Sequence, residues 1–179
     1  MEVQIVSNYL RQLIDDYERD IMGNIYTFEF SNGDTITFEI KKRNVPHLLG
    51  IGHLPLRQIH GKYAAQVYGL LKNGALTLEH ITSVPGHKEV YKKIMNFHHI
   101  ITILHCGEAV RVVKHIGSLS SSFLLYLDHR PKEIVHLGIG ADSAGNWYPE
   151  SLLVLQRHVT AYIDGQIPLE IVGFNVNKK

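Results

Sequence analysis

Groups suited to acid-base work gather first in Asn44 to Lys62, NVPHLLGIGHLPLRQIHGK, where His47, His53, Arg57, His60 and Lys62 lie between Gly-punctuated apolar turns. Titratable and cationic side chains beside a backbone path set by glycine and proline are a common ingredient of a site. The competing reading is a helix-turn-helix joint whose polar residues face water. Farther along, Lys114, Ser118, Ser120, Ser122, Tyr126, His136, Tyr148 and Glu150 add a second set of donors, acids and bases. Cleavage of RNA by attack of the 2′-hydroxyl on its own phosphate needs a base, an acid, and a cation or donor for the phosphorane charge. These residue types supply all three without a metal. In that scheme His47 and His136 are base and acid in either order, Arg57 and the serines hold phosphate, and Tyr148 stacks a base. Ser120 and Glu150 complete the catalytic candidates, and Lys41, Lys42, Arg43, Lys62, Lys114, Ser118 and Ser122 are candidates for holding the RNA backbone. Each has a plainer reading: Lys41 to Arg43 is a solvated charge run, Ser118 to Ser122 a turn, and Tyr126 a core residue. His136, set among Ile134, Val135 and Leu137, reads equally as a strand histidine satisfied in the core.

Other chemistries lose support. No pair of the twelve histidines has the HxxxH spacing of a helical metal site, and GxSxG, P-loop and GxGxxG patterns are missing. Neither a metal nor a cofactor is expected. Lysine plus arginine number 18 against 17 aspartate plus glutamate, so RNA binding would rest on a local basic patch rather than a global field. At 179 residues the chain is expected to form a single domain, 1–179, able to bury a core without staples. The single cysteine, Cys106, lies in an apolar run and reads as an inert buried thiol, which suits a reducing cytoplasm. No apolar run is long enough to span a membrane, and no membrane partner is expected.

Periodicity places these residues on an α+β chain. Val3, Ile5, Val6, Tyr9, Leu10, Leu13, Ile14 and Tyr17 recur at helical steps, predicting an amphipathic N-terminal helix over 1–24 that ends near Gly23. Tyr26, Phe28 and Phe30, then Ile36, Phe38 and Ile40, alternate around Asn32-Gly33 and predict a β-hairpin. A helical middle follows. Pro46 predicts a short turn opened by His47 and closed by Gly50, where the positive end of the helix dipole would favour a neutral base. Pro55 predicts a helix with Leu56, Ile59, Tyr63, Val67 and Leu70 on its buried stripe, stopped by Gly74. Thr77 caps a brief turn, and Val90 to Ile101 reads as one more helix, its adjacent His98 and His99 pointing too far apart to share a metal. VRVVKHI, SFLLYLD, IVHLGIG and WYPESLLVL then predict a C-terminal antiparallel meander, with a last strand from Pro168 to Phe174.

Two blocks, FEF-NGD-ITFEIKKRNVPHLLGI and IVHLGIGADSAGNWYPESLLVL, together resemble the phage-associated members of the barnase, EndoU, colicin and RelE-like (BECR) nuclease superfamily, in the subfamily with a PHLLG box, an HL strand and a YPES strand. The likeness spans roughly Tyr26 to Phe174, so residues 25–179 would form a BECR-like nuclease domain. It implies helices packed on an antiparallel sheet and metal-independent endoribonuclease activity in a phage, mobile-element or toxin setting, with RNA as substrate and a protein inhibitor or antitoxin as partner. By position His47 falls in PHLLG, Ser118 to Tyr126 in the segment leading into a strand, His136 in the HL strand, and Tyr148, Glu150 and Ser151 in YPES. Relatives are expected to carry lysines where this chain has Ser118 and Ser120, and Arg57 or Lys114 are the substitutes at hand. The alternative is a catalytically inactive BECR-like binding module.

Overall fold

Local period and turn chemistry account for most elements of this computed structural model, which describes residues 2–114, 120–129, 133–156, 160 and 162–178, with residues 2–8, 106 and 129 described by backbone alone. The chain folds as two units, residues 1–22 with 41–98, and residues 23–40 with 99–179. No described helix is long and apolar enough to cross a membrane.

The first unit is helical. Its amphipathic α1 (Glu2–Asp20) buries Leu10, Ile14 and Tyr17, with the Tyr17 ring 5.5 Å from that of Phe97. Polar contacts tie α1 to α3 (Ala64–Lys72). The Tyr68 hydroxyl donates to Glu18 at 2.6 Å, and Lys72 pairs with Glu18 and with Asp15. Lys72 and Tyr68 together hold the Glu18 carboxyl below its usual range.

Between these helices α2 (Asn44–Leu49) starts earlier than Pro46 predicts, because the Asn44 side chain accepts the Lys41 N–H at 2.7 Å and stabilises a turn there. His47 therefore occupies the last helical turn rather than the first, and the dipole argument loses its geometric basis. Gly50, at φ 71°, closes the helix as expected. The helix expected from Pro55 begins only at Ala64. Residues 57–61 form turns, with Gly61 at φ 68°, and Gln66 Oε1 accepts the Tyr63 N–H at 2.9 Å to start α3. Tyr63 consequently leaves the buried stripe, which consists of Val67, Tyr68 and Leu71.

Thr77 caps α4 (Leu78–Thr82), its hydroxyl accepting the His80 N–H. The expected long helix is two, α5 (His87–Asn96) and α6 (His99–Cys106), broken where Phe97 is buried against Tyr17. The unit boundary falls in this break.

The second unit carries the sheets. The hairpin is β1 (Ile25–Phe30) and β2 (Thr35–Glu39), joined through Gly33 at φ 88°. The meander is β3 (Glu108–Arg111), β4 (Phe123–His129), β5 (Glu133–Ala141) and β6 (Trp147–Gln156), all antiparallel. The expected last strand divides at Glu170. Its first part, β7 (Ile167–Leu169), pairs with β3, and its second, β8 (Ile171–Asn177), pairs with β1, setting Phe174 opposite Phe28. The sheets thus have the orders β6-β5-β4-β3-β7 and β2-β1-β8. The Glu170 carbonyl, accepting the Ser31 N–H at 2.9 Å, fixes the crossover. Helix α6 buries Ile100, Ile103 and Leu104 and packs on β4 and β5. The architecture is α+β, as the sequence predicts.

Candidate active site

Two glycines at strand spacing make a floor onto which polar side chains close directly. In β5 side chains alternate, so His136, Gly138 and Gly140 share one face while Val135, Leu137 and Ile139 point to the other. A Cβ at Gly138 would collide with the Ser121 hydroxyl and lie 2.6 Å from that of Ser151, and one at Gly140 would meet Glu150 Oε2 at 3.2 Å and the Tyr148 hydroxyl at 3.4 Å. Polar side chains from the head of β4 and from β6 thus lie directly on this floor. Gly138→Ala is expected to cost about 1–3 kcal/mol, the usual effect of forcing atoms into a filled site. Urea unfolding of the variant checks this, and an unchanged midpoint would contradict it.

The YPES segment supplies the carboxylate through a break in register. Gly138 pairs with Ser151, but the next residue of β5, Ile139, pairs with Pro149, so Glu150 is the unpaired extra residue of a β-bulge. Bulges re-aim side chains and occur beside active sites, and proline, lacking an N–H, is tolerated at such irregular points. Re-aimed in this way, Glu150 receives two hydroxyls: Ser120 donates to Oε1, and Ser121 donates to Oε2 at 2.5 Å. Ser121 is buried, Ser120 is exposed, and Glu150 and Tyr148 are half-buried. The Ser122 N–H donates to the Ile139 carbonyl at 2.8 Å, which extends the β4 to β5 pairing and holds the serines in place. Trp147 packs edge-on against Phe123 and braces the start of β6.

Along the same face the character changes. His136 is 0% exposed, 5.8 Å from the Tyr126 ring and 5.7 Å from that of Tyr162, beside an apolar cluster of Val110, Leu124, Tyr126 and Ile134. Among the described residues neither ring nitrogen has a well-formed hydrogen bond, and the buried Ser151 hydroxyl also lacks one. Burial pushes the His136 pKa down to about 4, with the nearby Leu153 backbone and the Asp128 carboxylate pulling weakly the other way. At neutral pH this ring is uncharged and enclosed. In this conformation the ring is closed off from solvent.

The structure therefore unites Ser120, Tyr148, Glu150 and Ser151 of the residues the sequence singles out, with Ser122 held beside them through its backbone, and adds Ser121, Gly138 and Gly140. The Gly-x-Gly pair inside a strand and the proline within the YPES run were the available signals for these additions. Lys114 is also in the second unit, exposed, its backbone N–H and carbonyl bonded to the Gln166 side chain. His47, Arg57, Lys41, Lys42, Arg43 and Lys62 are exposed side chains of the first unit, and Ser118 lies outside the described residues. Among the described residues no group of three or more His, Cys, Asp or Glu side chains converges as metal ligands would.

A carboxylate re-aimed by a bulge onto serine hydroxyls thus stands at the head of the antiparallel sheet. The family model described as phage-Barnase-EndoU-ColicinE5/D-RelE like nuclease 4 (PBECR4) matches residues 9–170. The chain belongs to this nuclease family. No curated protein and no solved structure matches it. The PBECR4 match covers the helical unit from Tyr9 onward as well as the meander with its Glu150 cluster.

Proposed function

We propose that this PBECR4 protein is a metal-independent endoribonuclease whose general base is Glu150. The observation that carries the reading is the Glu150 bulge, which sets a carboxylate beside the Tyr148 phenol over a floor cleared by Gly140. Glu150 takes the proton from a ribose 2′-hydroxyl as its oxygen attacks phosphorus. The bond to the 5′-oxygen breaks, that oxygen takes a proton from a donor such as the Tyr148 hydroxyl, and the products are a 2′,3′-cyclic phosphate and a 5′-hydroxyl. Ser120 and Ser121 orient the carboxylate through charge-assisted hydrogen bonds. His136 packs the floor behind them. The internal nucleophile makes RNA the substrate class, and an enzyme of this kind acting in the cytoplasm of its own host would need a protein inhibitor.

Incubation of the purified protein with total RNA in EDTA tests the proposal. Fragments ending in 2′,3′-cyclic phosphate are expected, and intact RNA, or cleavage that EDTA abolishes, would contradict it. The same serine bonds leave both Glu150 oxygens occupied, an arrangement equally suited to locking a strand head in a silent binding module. RNA retained but uncut in that assay is the signature of the module.

A further inference from the structure

The turn before α3 displays one residue, Tyr63, that helical periodicity would bury. Leu56 and Ile59 are buried and anchor it, while Arg57, His60, Lys62 and Tyr63 are exposed, Tyr63 by 80%. The backbone beneath them is well held. The Lys62 N–H donates to the Ile59 carbonyl at 3.0 Å, the Tyr63 N–H to Gln66 Oε1 at 2.9 Å, and the Tyr63 carbonyl accepts from the N–H groups of Gln66 and Val67. A large ring on a fixed backbone has two side-chain torsions to immobilise, so it gives contact area at low entropic cost. The sequence around it is one-sided in charge. Between Glu39 and Glu79 the chain has no aspartate or glutamate, and its cations there are Lys41, Lys42, Arg43, Arg57, Lys62 and Lys72, in a protein whose net charge is only +1. Lys72 is taken up by Asp15 and Glu18, and Lys42 also acts on Glu18, while Arg57 and Lys62, which flank Tyr63 in sequence, are exposed.

We propose that this turn is a subsite for single-stranded RNA, with Tyr63 stacking an unpaired base and Arg57 and Lys62 meeting the flanking phosphates. Aromatic rings beside cations bind single strands because every base has a stacking face and every nucleotide a charge. The proposal rests on the nuclease reading only for the identity of the substrate. A fluorescent, single-stranded 2′-O-methyl RNA is the probe, because it has no 2′-hydroxyl with which to cut itself. Anisotropy titration should show Tyr63→Ala weakening binding about 5- to 100-fold, the usual effect of losing one stacked base, with Tyr63→Phe close to the parent. Arg57→Ala and Lys62→Ala should each lower the salt slope by roughly 0.7, as loss of one single-strand phosphate contact does.

Parent-like binding by Tyr63→Ala, equal loss in Tyr63→Phe, equal affinity for a duplex, or no binding by the parent would each overturn the subsite. Thermal melting of the exposed-site variants should match the parent. Binding of the probe by a protein that cuts no ordinary RNA removes the nuclease reading and leaves the subsite. Cleavage with unaltered Tyr63→Ala binding does the reverse.

Discussion

Replacing Glu150 by glutamine is expected to lower RNA cleavage by about 10²- to 10⁴-fold, the range over which a positioned base contributes. Glutamine keeps the size and can still accept a serine hydroxyl, but its amide does not take the 2′-hydroxyl proton. The loss should therefore fall on kcat, with KM little changed, because the interaction removed is one made in the transition state. Ser121→Ala is a milder companion. It removes the buried donor to Oε2 while leaving the carboxylate, so its effect should be smaller and in the same direction. Equal losses in kcat for both variants with unchanged unfolding midpoints would shift the assignment from the carboxylate to the serines.

The second large effect concerns stability. His136 titrates near 6.5 in an unfolded chain and near 4 in the folded one, so between those values the unfolded state binds more protons. Its contribution to stability is complete above about pH 6.5 and is lost as the pH falls towards 4. A depression of that size corresponds to about 3 kcal/mol across the window, a large part of the stability of a domain this small. Urea unfolding of the parent at several pH values should show this loss, and His136→Leu should flatten it, since leucine fills a similar volume with nothing to protonate. The same variant should be no less stable than the parent at neutral pH, because it removes two buried nitrogens without good hydrogen bonds. It should also retain RNA cleavage. An identical pH slope in parent and variant would sink the account of this histidine, and loss of cleavage with an intact fold would return it to the catalytic machinery.

What the sequence makes legible follows from the range of the interactions. The Leu10, Ile14 and Tyr17 stripe of α1, the β1-β2 hairpin, the Thr77 cap and strands β4 to β6 rest on local period and turn chemistry and appear where the residues predict them, whereas Tyr9 is exposed and β3 ends at Arg111 although VRVVKHI predicts a strand beyond it. Tyr63 fits a helical stripe by spacing, but a glycine with positive φ two residues earlier delays the helix and turns the ring outward. The division of the last strand between two sheets depends on Phe28 and Ala109 as partners, which no local pattern near Phe174 or Leu169 encodes. At the site, residue type and the YPES resemblance point to Glu150, Tyr148 and Ser120. The bulge that aims the carboxylate is a property of the paired strands, so Ser121 emerges only once β4, β5 and β6 are in register. His136 is the reverse case, since its type suits catalysis and its surroundings assign it to the core.

Whether Glu150 activates a 2′-hydroxyl is decided by single-turnover cleavage, in EDTA, of a DNA strand containing one ribonucleotide. The parent should cut only on the 3′ side of that ribonucleotide and leave the all-deoxy strand intact, and Glu150→Gln should cut at a rate at least about a hundredfold lower. Cleavage of the all-deoxy strand, or equal rates for parent and Glu150→Gln, would contradict it.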